Sequence, residues 1–308
     1  MTTREKLKLL QNLSGLTQAE LAGRLGVTFA ALNRWMNEKA VPRKGAAARI
    51  DELYKEYSGE KQISETVLGA KKKFVLRKRD SHKNALKEIL ANPDIKDEFW
   101  VALTYHSNRI EGNTLSENET AAILLHNAIL PDKSLVEQLE AKNHQAALEY
   151  LFSWVLAKKP LNQELILKLH GILMNAVQSD AGAYRRHAVR ILGSYVPTAN
   201  YQKVPNLMKK LTSDLARDQK DTIARVASVH SRLEQIHPFS DGNGRVGRLL
   251  MQAMLLKKNL PPAIIRQEKR RLYYVYLSKA QTKMDQSSLE DFICDAILEG
   301  FKILEREE

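Results

Sequence analysis

Along most of the chain apolar residues recur at the three-to-four-residue interval of an amphipathic helix, and only one stretch alternates as a strand does. Between Thr222 and Ile236, the residues Ile223, Val226, His230 and Leu233 share one face, with Ile236 close to it, which predicts a helix. Pro238 disfavours the α region for His237 and ends that helix. A second is predicted from Arg245 to Lys258 by Val246, Leu249, Leu250, Met254 and Leu255, and Pro261-Pro262 closes it. Asp97 to Ile110 reads as a third, carrying Trp100, Leu103, Tyr105 and Ile110, with Gly112 as a natural stop. Ser116-Glu117-Asn118-Glu119 is a capping-box pattern that opens the next helix, so Asn113 to Leu115 is a short connection. The exception is Tyr184 to Pro205, where Val189, Ile191 and Tyr195 are bounded by Gly193, Pro197 and Asn200 and predict β structure. The expected fold is an all-α bundle with one small β-hairpin.

The beginning of the chain has its own pattern. Thr17-Gln18-Ala19-Glu20-Leu21-Ala22-Gly23-Arg24-Leu25-Gly26-Val27-Thr28 reads as a short helix, a Gly turn and the N-cap of another helix. Ala22 is small where the two would cross, and Leu32 and Trp35 would bury the second against the first. Charge separates this region from the rest: positions 1–83 hold 18 Lys or Arg against 9 Asp or Glu, whereas 84–308 hold 30 against 27, so most of the net +12 lies at the front. Ser58 to Gln62 is expected as a hinge, followed by the run Lys71 to Arg79, which could add phosphate contacts. This predicts a small domain over 1–57, a basic linker over 58–83 and a larger domain over 84–308. The stretch Leu7 to Leu53 is similar to XRE-type helix-turn-helix domains. The resemblance implies that the second helix enters the major groove, with Thr28, Phe29, Asn33 and Arg34 facing DNA and Gln18 near a phosphate. Phe29 could only touch a thymine methyl. Small helical domains of this pattern also bind proteins.

Composition narrows the setting. Cys294 is the sole cysteine, so no disulfide framework exists, and a reducing cytoplasm is expected. No apolar run reaches membrane-spanning length, and the first residues lack a signal-peptide core, so no membrane partner is expected.

The densest chemistry is His237-Pro238-Phe239-Ser240-Asp241-Gly242-Asn243-Gly244-Arg245-Val246-Gly247-Arg248, a tight loop opening a helix. Gly242-Asn243-Gly244 can turn successive N–H groups inward on the positive end of the following helix, a nest for a polyphosphate. Arg245 and Arg248 lie three apart on one face and could grip further phosphate oxygens. Asp241 could hold one Mg²⁺ otherwise ligated by phosphate and water. His237 stands where it could take a proton from a hydroxyl. Gly242 to Gly247 also fits G-x-G-x-x-G, but a dinucleotide fold needs a strand before it and here a helix precedes; no P-loop pattern occurs. An ordinary capped turn would explain the glycines and not the clustered Asp and two Arg.

These residues resemble the Fic family, whose signature H-P-F-x-[DE]-G-N-G-R-x-x-R is matched at all nine fixed positions. The likeness runs from about Trp100 to about Ile297, including Leu233-Glu234-Gln235-Ile236 and Gly182-Ala183-Tyr184-Arg185. It implies an all-helical domain that moves AMP from ATP, with Mg²⁺, to a Ser, Thr or Tyr hydroxyl of a target protein. By position, His237 would be the base, Asp241 the Mg²⁺ ligand, Gly242, Asn243 and Gly244 the phosphate nest, Arg245 and Arg248 the outer grips, and Phe239 a buried anchor. A phosphotransferase branch uses Lys where this chain has Gly244, which favours nucleotidyl transfer. Ser107-Asn108-Arg109-Ile110-Glu111-Gly112 fits an inhibitory-helix pattern of the family, [ST]-x-x-x-E-[GN], and implies that Glu111 pairs with Arg248 in the place of the γ-phosphate. Without that likeness, Glu111 is a carboxylate at the wrong end of a helix dipole, disfavoured by about 0.3–1 kcal/mol. The resemblance further implies a flap at 184–205 that docks the target by strand addition, Tyr274 and Gln281 beside the adenosine, and pairing as a homodimer. His170 and His230 read as core residues. Two rival functions remain open on the residues: a DNA-binding regulator whose domain senses nucleotide without turnover, and removal of AMP from a modified protein with Glu111 orienting water.

Overall fold

The computed structural model describes residues 1–191, 196–217 and 220–306. Among the described residues the chain is all helical, without a strand. The order is α1 (Thr3–Ser14), α2 (Gln18–Arg24), α3 (Phe29–Met36), α4 (Lys44–Tyr57), α5 (Glu65–Asp80), α6 (Ala85–Ala91), α7 (Pro93–Glu111), α8 (Glu117–His126), α9 (Leu135–Leu156), α10 (Gln163–Leu173), α11 (Val204–Ala216), α12 (Thr222–Ile236), α13 (Asn243–Leu256), α14 (Arg270–Thr282) and α15 (Ser287–Glu305). No helix among these residues is long and apolar enough to cross a membrane.

Local chemistry sets most of the boundaries. Complete capping boxes start α1 (Thr2 with Glu5), α2 (Thr17 with Glu20) and α8 (Ser116 with Glu119). Helix α12 follows the sequence pattern end to end. Helix α7 begins four residues before Asp97, because the Asn92 side chain accepts from the N–H groups of Asp94 and Ile95 and Pro93 fills the first position. It stops at Gly112, whose φ of 106° suits a residue without Cβ.

Helix α13 is the axis of the larger domain. It is buried along nearly its whole length and packs on α7, α9, α10 and α12. Residues Phe99, Phe152, Leu169 and Leu233 fill the space around it. In front, α1 to α4 enclose Leu7, Leu10, Leu21, Leu32 and Ile50, and Gly26 makes the turn between α2 and α3 at φ 64°.

Two expectations are corrected. The stretch 58–83 is no open basic linker: α5 lies along α15, burying Leu68 and Val75. Lys71 pairs with Asp291 (2.8 Å) and Asp295 (2.7 Å), Lys72 with Asp221 (2.6 Å) and Glu290, and Lys78 with Glu305. These cations are therefore committed to carboxylates, not offered to phosphates. The β-hairpin expected in 184–205 does not form among the described residues, while Gly193 and Tyr195 lie outside them. Tyr201–Lys203 is a 3₁₀ turn leading into α11. Elsewhere side chains take the backbone groups that a ladder would have used: Thr198 Oγ1 donates to the Val189 carbonyl at 2.8 Å, and Arg185 donates to those of His187 (2.7 Å) and Ala199 (2.5 Å).

Candidate active site

The site lies in the loop between α12 and α13. His237 caps α12 in the left-handed region, φ 51° and ψ 63°, and donates its N–H to Leu233 O at 2.9 Å. Pro238 favours an extended residue before it, so the left-handed conformation departs from the sequence expectation, costing about 1–2 kcal/mol. The imidazole Nδ1 lies 3.2 Å from Glu234 O. A carbonyl can only accept, so Nδ1 carries the proton and Nε2 keeps its lone pair. Burial, first among the causes, holds the imidazole below its ordinary pKa, which keeps it neutral with Nε2 open to a proton.

Packing fixes the rest of the loop. Phe239 is fully buried and stacks on His170, centroids 3.8 Å apart at 7°. His170 accepts from Gly182 N at Nδ1 (2.8 Å), so its Nε2–H reaches Asp241 O at 3.1 Å. The Asn243 amide is clamped both ways to Phe239, accepting from its N–H (2.9 Å) and donating to its carbonyl (3.0 Å). Ser240 donates to Asp180 at 2.5 Å. Of the expected nest, then, Asn243 offers only its main chain, because its side chain is already committed, and the Gly242 N–H is taken by Asp241 Oδ1 at 2.6 Å.

Gly242 (φ 76°) caps α13, and a Cβ there would meet Met174 Sδ at 2.8 Å. A Cβ on Gly244 would lie 2.2 Å from Glu111 Oε1 and 3.0 Å from Arg248 Nη1. Only glycine permits that approach. Glu111, the last residue of α7, thus exchanges the negative end of its own helix for the positive start of α13. Arg248, 4 % exposed, donates to Glu111 Oε1 (2.7 Å), Ser107 Oγ (2.9 Å) and Ser107 O (3.0 Å). Arg245, equally buried, donates to Glu140 (2.7 Å) and Asp241 (3.3 Å). Glu140 also accepts from Asn113 (2.9 Å), so it ties the residue after Gly112 to the second arginine.

Among the described residues eight buried side-chain atoms have no hydrogen-bond partner, and six sit around this crevice: Asn108 Oδ1, Arg109 Nε, His230 Nδ1, Glu234 Oε1, Arg245 Nε and Arg248 Nη1. Such groups normally find partners. Two of them are guanidinium donors beside a helix N-terminus, a donor set suited to phosphate. The Asp241 carboxylate, 54 % exposed and adjacent, is a single hard oxygen donor. It would suit a Mg²⁺ bound together with phosphates.

Deeper, His230 Nε2 lies 2.6 Å from Tyr273 OH, and burial lowers the His230 pKa to about 3 while raising that of Glu234 to about 8. Tyr274 is 38 % exposed, and its ring lies 5.7 Å from the Arg270 guanidinium. Gln281 donates to Ser231 O at 3.0 Å. Of this expected adenosine pair, Tyr274 is partly exposed between Arg270 and Tyr273, and Gln281 is tied down. In the front domain Thr28 caps α3, and Phe29 and Arg34 are exposed, whereas Gln18 and Asn33 face each other at 3.5 Å. Reasoning from sequence missed Glu140 and Asp180, which carry no local pattern, and the part played by Arg185. Glu234 and Arg185 do stand in the segments that carried the family likeness.

Residues 160–255 match the Fic/DOC family model and residues 4–60 a helix-turn-helix domain model. Protein adenylyltransferase Fic of Nematostella vectensis is 37% identical over 190 residues, 60% of this chain and 44% of that protein. Protein adenylyltransferase fic-1 of Caenorhabditis elegans is 34% identical over 206 residues, 65% of this chain and 39% of that protein. The chain thus spans about two fifths of the length of the curated relatives it matches. Among solved structures, a fragment of Fic-1 from C. elegans aligns over 98% of this chain and 89% of its own, with a TM-score of 0.66 at 24% identity. A Fic domain containing signaling protein from Bacteroides thetaiotaomicron covers 77% and 99%, with a TM-score of 0.64 at 22% identity. The structural likenesses establish the fold.

Proposed function

We propose, for a chain that carries a Fic domain behind a helix-turn-helix domain, that the crevice at the start of α13 transfers AMP from ATP to a hydroxyl of a target protein and that Glu111 restrains this activity. The observation that carries the reading is the loop itself: an imidazole with Nδ1 committed and Nε2 free faces a glycine-built helix N-terminus flanked by two buried guanidinium groups with unused donors.

His237 Nε2 would accept the proton as the target oxygen bonds to the α-phosphorus. The bond from that phosphorus to the oxygen bridging to the β-phosphate breaks, and pyrophosphate departs. The N–H groups of Asn243 and Gly244 and the forks of Arg245 and Arg248 would hold the charge that develops. Asp241 would hold Mg²⁺, which when bound neutralises part of the pyrophosphate charge. The Glu111 carboxylate lies against Gly244 and the Arg248 fork, where it would repel a γ-phosphate brought to the same place, so productive binding would require Glu111 to leave. The exposed Thr28, Phe29 and Arg34 support DNA contact by α3.

Incubation of the protein and of Glu111→Gly with ATP labelled at the α- or the γ-phosphate tests the reading. Protein-bound label is expected from the α position only, with Glu111→Gly faster by about 5–150-fold, the usual span of a coupling between sites. Label from γ would mean phosphorylation. No label from either with intact ATP binding would favour a nucleotide-sensing regulator, and loss of AMP from a pre-labelled protein would favour the reverse reaction.

A further inference from the structure

We propose that Arg185 is a positioning residue for His237, joining the segment after Tyr184 to the peptide unit that carries the base; the inference rests on the AMP-transfer reading above. Its basis is one buried guanidinium among four main-chain carbonyls. Nε donates to His237 O at 2.7 Å, Nη2 to Ala199 O at 2.5 Å and Ile236 O at 3.4 Å, and Nη1 to His187 O at 2.7 Å. The Arg185 main-chain N–H adds a bond to Pro238 O at 3.0 Å. The side chain belongs to a residue only 3 % exposed, and among the described residues no carboxylate pairs with it.

A buried cation without a counter-charge is unfavourable unless its donors are fully used. Two of the four acceptors, Ile236 O and His237 O, are the last carbonyls of α12, where a helix leaves acceptors unpaired and its dipole is negative. His187 and Ala199 lie in the segment after Tyr184, so a shift of that segment is transmitted through a planar fork to the His237 carbonyl. That carbonyl belongs to a left-handed residue preceding proline, which relaxes towards an extended conformation once released. Relaxation would swing the imidazole away from Glu234 O and undo the tautomer that leaves Nε2 free. Lysine, with a point charge, could not serve three segments at once. The charged groups acting on the imidazole are Arg185, Glu111 and Asp241.

The test compares Arg185→Gln and Arg185→Lys in the Glu111→Gly background. ATP–Mg affinity by calorimetry, kcat and KM for AMP transfer, the acid limb of the pH–rate profile and the NMR titration of His237, assigned against His237→Asn, are measured together. The expected result is unchanged ATP affinity with kcat lower by about a hundredfold in the Gln variant, the effect of a misplaced catalytic group. Partial recovery in the Lys variant and a His237 titration moved towards the ordinary imidazole value are expected alongside. Parent-like kcat in a folded Gln variant would overturn the proposal, and so would a loss of rate proportional to lost ATP affinity with an unmoved His237 titration. Should the Gln variant not fold, the Lys variant carries the same readouts. If the Glu111→Gly parent transfers no AMP, the function proposed above fails, while an unmoved imidazole titration still decides against Arg185.

Discussion

The crevice at α13 and the surface of α3 place their polar side chains in opposite ways. Around the crevice, Asn243, Arg245, Arg248, Glu234 and His230 are all buried, and each constrains the packing of several helices. In the front domain the interior is Leu7, Leu21, Leu32 and Ile50, while Thr28, Phe29 and Arg34 stand outside it. A buried cation without partners is unfavourable, so the crevice imprints its chemistry on the fold. Surface side chains on α3 can change without disturbing the interior, so the fold there says little about what is read.

The sharpest way to break this contrast is at the base. His237→Asn keeps a polar side chain able to meet Glu234 O and removes proton acceptance. AMP transfer is expected to fall by about 10²–10⁴-fold in a single-turnover assay, with ATP affinity retained. A loss of nucleotide affinity instead would mean that His237 supports the loop and not the chemistry.

Acid should separate the two regions next. His106 and His170 are lowered to about 4, and His144 and His230 to about 3, each chiefly by burial. From the ordinary value of 6.5 downward the unfolded chain binds protons that the folded chain refuses, so stability falls as pH drops from about 6.5 towards 4. Glu234, raised to about 8, acts oppositely: the folded protein holds a proton that the unfolded one loses, and that contribution vanishes as pH rises from about 4.5 to 8. Melting curves across this range should show a falling midpoint below pH 6.5, and Glu234→Gln should gain most above pH 6. A midpoint flat between pH 6.5 and 4 would contradict the burial of these imidazoles.

The smallest effect is expected on α3. Arg34→Ala should reduce the salt dependence of binding to duplex DNA by about one unit of slope, read by fluorescence anisotropy, and leave AMP transfer unchanged. No change in slope would remove Arg34 from any phosphate contact.

Much of this architecture was legible because it is local. Helix α12, the capping box at Ser116, the stop at Gly112 and the turn at Gly26 each follow from neighbours in sequence. The conformation of His237 was not, since proline argues for an extended residue and only Arg185 and Glu234, brought in by the fold, hold it otherwise. The stacking of His170 on Phe239 and the bridge of Glu140 between Asn113 and Arg245 join residues far apart in the chain and leave no periodic trace. The basic run at 71–79 misled for a related reason: its acidic partners Asp221, Glu290, Asp291 and Asp295 lie more than a hundred residues downstream.

Helix α14 is a party wall. On one side Tyr273 meets His230 and Gln281 meets Ser231, both on α12. On the other, Arg271 donates to the carbonyls of Asn12 and Leu13, Tyr276 to Glu56, and Lys279 to the Lys61 carbonyl. Cutting the chain after residue 61 to obtain a tidy catalytic fragment would strip acceptors from three side chains of that helix and bare Val275, so the severed piece would not behave as the intact molecule does.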